Sequence, residues 1–191
     1  KDGNIKRKGL EEYINDVDYD NDNHREQVVK DITKNFFTYS TGKHGPHTFH
    51  GILATRSIPE ACRYWEMFRR VNPELNVTAL FDMNTDANNE STISKNQYIP
   101  QILAEYNKQF GTSFDIKSDA NLEKYKNDIT LRLAHKTPYQ QIAGDSTQVL
   151  DLVIVVDQLL TGFDSQFVNI IYLDKTLKND SLIQAISRTN R

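Results

Sequence analysis

The segment Leu150-Asp151-Leu152-Val153-Ile154-Val155-Val156 constrains this chain more than any other. Six of its seven positions are apolar and the last four are β-branched. A strand with one wet face alternates apolar and polar side chains, so a nearly continuous apolar run needs cover on both faces. Such a strand belongs inside a parallel sheet. Parallel neighbours cannot be joined by tight turns and require long crossovers, usually helices. The remaining sequence must therefore supply helices between strands.

It does. From His24, Val28, Ile32 and Phe36 recur every four residues, a helical period that Gly42 and Gly45-Pro46 bring to a close. Phe49 to Ala54 predicts a short buried strand. Ser57-Ile58-Pro59-Glu60 is an S-x-x-E capping sequence with Pro in the first turn, and it predicts a helix start. Ala61, Tyr64, Trp65 and Phe68 give that helix one apolar face, and Pro73 ends it. Val77 to Phe81 predicts a second strand. Residues 82–97, rich in Asn, Asp, Ser and Thr, predict a loop. Helices are expected over about 98–110 and 121–134, a further strand over Val168 to Leu173, and a last helix from Ser181 onward. Strands separated by helices define an α/β fold with a mostly parallel sheet, in one domain over 24–191. Residues 1–23 are polar and read as a solvated lead-in.

Several function classes drop out. With a single cysteine, Cys62, the chain has no internal disulfide framework, which suits a reducing cytoplasm. No apolar run reaches the length of a membrane span. The start, Lys1-Asp2-Gly3, has neither Met nor a signal pattern, and the chain is expected to be a piece of a longer protein, truncated at its C-terminal end. The formal net charge is −3, which at first argues against a nucleic-acid binder working by bulk charge. That average conceals unlike parts. Residues 11–26 hold seven acids and one Arg, so the rest of the chain carries +3.

Metal chemistry is not expected. Asp16, Asp18 and Asp20 imitate the start of a calcium loop, but Asn21 and Gln27 stand where that loop wants Gly and a bidentate Glu. His44, His47 and His50 are spaced by three around Gly45-Pro46, which breaks any helix that would align them for zinc; they read as a surface turn. Cys62 reads as a buried helix thiol without an activating partner.

Two segments carry more. In Leu159-Leu160-Thr161-Gly162-Phe163-Asp164, a buried strand runs out into a turn holding Gly and then an acid. Ligands bind at the carboxyl ends of parallel strands. Gly162 would admit a phosphate or backbone closely, and Asp164 could accept from a ribose hydroxyl or simply cap a helix. In Gln184 to Arg191, Gln184, Arg188 and Arg191 fall at i, i+4 and i+7. One helix face would then offer an amide and two guanidiniums to phosphate oxygens, or form an ordinary basic surface.

Together the two segments resemble motifs V and VI of the second RecA-like domain of superfamily-2 helicases and translocases. The strand with Ala54-Thr55-Arg56-Ser57-Ile58-Pro59-Glu60-Ala61 lies where motif IV belongs. The stretch from Val155 to Arg191, and Tyr106 to Ile116, are similar to the motor (R) subunit of type I restriction enzymes. That resemblance implies a three-layer RecA-like domain with a mostly parallel sheet flanked by helices. It implies the C-terminal half of an ATP-driven double-stranded DNA translocase, with ATP and Mg²⁺ in the cleft against a first RecA-like domain. Neither a G-x-x-x-x-G-K-[ST] loop nor a nuclease motif occurs here, so the 191 residues alone are expected to be inactive. By position, Arg188 and Arg191 would be arginine fingers and Gln184 would organise their face. Asp164, with Gly162, Arg188 and Arg191, would meet the nucleotide. Thr161, Gly162, Thr55, Arg56 and Ser57 would meet the DNA backbone. The implied partners are double-stranded DNA, the first motor and nuclease domains of the same chain, and methyltransferase (M) and specificity (S) subunits, in a bacterial or archaeal cytoplasm. Domain 2 of another helicase, or a nucleotide-binding scaffold without a motor, remain alternatives at this stage.

Overall fold

The computed structural model describes residues 21–80, 89–156 and 165–174. Within them the elements run α1 (Asp22–Ser40), β1 (His50–Thr55), α2 (Ile58–Val71), β2 (Val77–Leu80), α3 (Asn89–Phe110), α4 (Asp119–Leu133), β3 (Leu152–Val156) and β4 (Val168–Asp174). The lead-in over 1–20, the residues 157–164 and the C-terminal stretch 175–191 lie outside the described residues.

Local chemistry explains most of the boundaries. Asn21 caps α1 by accepting from the His24 N–H. Ser57 caps α2 with Pro in its first turn, and Ser118 caps α4 by accepting from the Asn121 N–H. The stripe Val29, Ile32 and Phe36 on α1 is fully buried, as are Ala61, Tyr64, Trp65 and Phe68 on α2.

The four strands pair in the order β2-β3-β1-β4, all parallel. β3, from the apolar run that opened the sequence analysis, is buried at all five positions, as a central strand must be. The register sets Gly51 beside Leu152 and Thr55 beside Val156, so Gly51, Leu53 and Thr55 share one face of the sheet. α1 and α2 cover that face. A Cβ on Gly51 would lie 2.9 Å from the ring edge of Phe36, so the absent side chain is what lets α1 approach. On the other face Tyr125 of α4 shares a hydrogen bond with the Thr78 hydroxyl and donates to the Ala79 carbonyl. The result is a three-layer α/β domain with a mostly parallel sheet.

One expected loop is in part a helix. α3 starts at Asn89, nine residues before the expected Tyr98, and continues through Pro100. Ser91 and Lys95 are buried and extend by four-residue steps the face that Ile99, Ile102 and Tyr106 complete. Polar residues occupy core-facing places there, so apolar periodicity does not reveal them. Contacts to α2 hold this extension: Tyr98 donates to Glu66 at 3.0 Å and Arg63 lies 3.7 Å from Glu90.

Two of the three histidines also depart from expectation. His44 is exposed, but His50 is fully buried and His47 is largely so. The turn expected before β1 is present and carries His44, but His47 and His50 belong to a polar lock at the amino edge of the sheet. His47 Nδ1 donates to Asp151 at 2.6 Å, and the other Asp151 oxygen accepts the Asn76 N–H at 2.9 Å. His50 Nδ1 donates to the Leu150 carbonyl, which leaves Nε2 to accept from His135 at 2.8 Å. His135 stacks on Phe167, 3.7 Å between centroids. Burial pushes the His50 imidazole down to about 3 and that of His135 to about 4, so both are neutral near pH 7.

Candidate functional site

The opposite, carboxyl edge is where β1, β3 and β4 end together. Thr55 is in register with Val156 on one side and with Asp174 on the other. Parallel strands place their ligand-binding turns at this edge. The two segments singled out in the sequence, 157–164 and 175–191, follow directly on β3 and β4.

Thr55 is wholly buried, and its hydroxyl donates to the Val155 carbonyl at 3.2 Å. Its side chain is thereby turned inward, and of Thr55, Arg56 and Ser57, all expected to meet the DNA backbone, only Arg56 and Ser57 reach the surface. Ser57 Oγ accepts from the Glu60 N–H at 3.4 Å and so starts α2. Glu60 answers one residue earlier than a standard capping box would. Its Oε2 accepts the Arg56 N–H at 2.9 Å, and its Oε1 meets the Arg56 guanidinium at 2.8 Å. The turn over 55–57 is therefore fixed through both backbone and side chain.

Beneath it lie charges that the sequence did not single out. Arg25, from the first turn of α1, is buried to 1% exposure and brings its Nε within 3.9 Å of Glu60, while its Nη1 donates to Asp22 at 3.0 Å. Desolvation holds the Arg25 guanidinium below its usual pKa. Beside Arg25, His24 Nε2 pairs with Asp174 at 2.9 Å, and the other Asp174 oxygen accepts from Tyr64. Burial, with the acceptor Asp174 adding to it, drives the Tyr64 phenol far above its usual range. Glu60 was visible as the last residue of S-x-x-E; no local pattern marks the meeting of Arg25 with Glu60 or of His24 with Asp174, because these partners are distant in sequence.

Thr161, Gly162, Asp164, Gln184, Arg188 and Arg191, which carry the expected nucleotide and finger roles, lie outside the described residues. Cys62 is buried on α2, and burial raises its thiol to about 12, well away from a reactive thiolate. Among the described residues no helix is long and apolar enough to cross a membrane.

Comparison with known proteins bears on this edge. The family model of type I restriction enzyme subunit R domain 3 matches residues 47–191, which includes all four strands and the turn over 55–57 but not α1. The chain is 31% identical over 173 residues to the type I restriction enzyme SauMRSORF196P endonuclease subunit of Staphylococcus aureus, covering 87% of this chain and 17% of that protein. It is 28% identical over 174 residues to the SsaAORF53P endonuclease subunit of Staphylococcus saprophyticus, with the same shares. A shorter stretch of 47 residues is 51% identical to the HindI endonuclease subunit of Haemophilus influenzae, 25% of this chain and 4% of that one. The chain thus spans about one sixth of the length of the curated relatives that match most of it.

Proposed function

The chain belongs to the type I restriction enzyme subunit R domain 3 family, and from that premise we propose that it is the second RecA-like domain of an ATP-driven double-stranded DNA translocase. The observation that carries the reading is the convergence at one edge. The 55–57 turn, the segment after β3 and the segment after β4 all issue from the carboxyl ends of three adjacent parallel strands. In this reading Arg188 and Arg191 face the terminal phosphate of a nucleotide across a cleft, and Gln184 orders their face. Asp164 meets the ribose, and Gly162 admits the phosphates. Bound ATP, with Mg²⁺ held by the first motor domain, supplies the hydrolysis that opens and closes the cleft. Arg56, Ser57, Thr161 and Gly162 hold DNA by its backbone, so this half grips without base readout. Motion comes from two domains gripping offset phosphates as the cleft cycles between open and closed.

The full subunit in this reading also holds the first motor domain and a nuclease domain. It assembles with methyltransferase and specificity subunits that choose the DNA site. The reading is tested on that assembled enzyme. Arg188→Ala should lower DNA-stimulated ATP hydrolysis by about 10³-fold or more, the scale on which arginine fingers act. An unchanged rate would remove Arg188 from the finger position, and rapid ATP hydrolysis by these 191 residues alone would overturn the two-domain reading.

A further inference from the structure

Two guanidiniums share the one buried carboxylate of Glu60, and they are not equivalent. Arg56 makes the short contact, 2.8 Å from Nη2 to Oε1, yet its side chain is 31% exposed. Arg25 sits at 3.9 Å from the same oxygen and is 1% exposed. Glu60 itself is 4% exposed. We propose that Arg56 is a phosphate-binding arginine held in reserve by Glu60, and that Arg25 is the positioning residue that allows Glu60 to release it. This rests on the reading of the carboxyl edge as the face that grips DNA.

The physical reason is the cost of an unpaired buried charge. A carboxylate that loses its only cation in a buried site is strongly destabilised, and a lone Glu60–Arg56 pair would therefore hold Arg56 away from any ligand. Arg25 changes that balance. It cannot reach solvent, so it remains beside Glu60 when Arg56 turns outward. Arg25 and Glu60 then neutralise each other, and the charge on Arg56 becomes available to a phosphate. The Arg56 N–H, donated to Glu60 Oε2 at 2.9 Å, does not have to break when the side chain leaves, so the turn keeps its shape during the exchange. Asp22, which also pairs with Arg25, is 79% exposed, so that pair is open to solvent while the contact of Arg25 with Glu60 is buried. Arg25 lies before residue 47, so the site begins upstream of the segment that the family model covers.

The test uses the full subunit assembled with its partner subunits and a 30-base-pair duplex lacking the recognition site. Binding is followed by fluorescence anisotropy across a series of salt concentrations. Each phosphate contact contributes about 0.9 to the slope of log affinity against log salt. Arg56→Gln should make the slope shallower by about that amount. Arg25→Gln, which touches no DNA, should do the same, because Arg56 must then stay with Glu60. The double variant should lose no more than either single one, and Arg25→Lys should recover the slope. Glu60→Gln provides a second readout if Arg25→Gln does not fold. It should bind DNA several-fold more tightly at unchanged slope, since Arg56 no longer leaves a charged partner. Weaker binding by Glu60→Gln would mean that Glu60 merely props Arg56 in place, and would overturn the proposal. So would a wild-type slope for folded Arg25→Gln beside a reduced slope for Arg56→Gln, although the DNA-gripping role of Arg56 would survive. A wild-type slope for Arg56→Gln would instead overturn that role itself.

Discussion

The two ends of this parallel sheet solve the same problem with different chemistry. At the amino edge the starts of β1 and β3 are locked largely through the backbone: His50 to a carbonyl as well as to His135, and Asp151 to the Asn76 N–H as well as to His47. At the carboxyl edge Arg25, Arg56 and Glu60 are charged side chains answering one another, and His24 meets Asp174 beside them. A backbone acceptor cannot be exchanged without moving the chain, whereas a charged side chain can trade one partner for another. The amino edge is built to hold still, and the carboxyl edge keeps charge in a form that a ligand can claim.

If that contrast is right, amino-edge substitutions should change stability and leave DNA binding alone. The largest effect is expected for Asp151→Ala. It strips His47 and a buried backbone N–H of their partner, and unfolding free energy in urea should fall by about 3–5 kcal/mol. A fall under about 1 kcal/mol would break the picture of the amino edge as a lock. The salt slope of DNA binding by the assembled subunit should not move.

Acid should act next, and at the same edge. The unfolded chain protonates its histidines near 6.5, while folded His50 and His135 resist protonation down to about 3 and 4. Their contribution is therefore complete above pH 6.5 and is lost progressively as the pH falls toward 3, amounting to a few kcal/mol in order of magnitude. His47 works in the opposite sense, because its bond to Asp151 raises its pKa and favours the folded state as it protonates. Replacing both His50 and His135 by Gln should flatten the acid limb of a denaturation profile; an unchanged limb would place the acid response elsewhere.

The carboxyl edge should show smaller stability effects. Ser57→Ala removes the α2 cap and should cost about 1 kcal/mol. Arg56→Ala removes a partly exposed arm of an ion pair whose carboxylate keeps Arg25. Its stability change should stay within about 1 kcal/mol, while DNA binding weakens. An Arg56→Ala variant that unfolds as readily as Asp151→Ala would erase the difference between the two edges.

Much of the architecture was legible before any coordinates. β3 came from its unbroken apolar run, α2 from a cap and a four-residue apolar stripe, and the break after α1 from Gly42 and Gly45-Pro46. Those signals are local, because a period or a cap acts within one or two turns. The first nine residues of α3 were misread, since Ser91 and Lys95 reach the core without looking apolar. His47 and His50 were misread because solvent exposure is not a local property: His50 is buried against groups 85 and 100 residues away.

The candidate site divides along the same line. The sequence by itself determined a parallel α/β sheet with Arg56 in the turn after β1, while Gly162, Asp164, Arg188 and Arg191, which it also singled out, lie outside the described residues. Local patterning dictates secondary structure, and parallel strands dictate which edge their turns share. Only the tertiary structure decided that Thr55 faces inward and that Glu60 answers two arginines. It alone showed that His24 meets Asp174 across 150 residues. These pairings depend on which distant groups lose their water together, and no spacing along the chain encodes that.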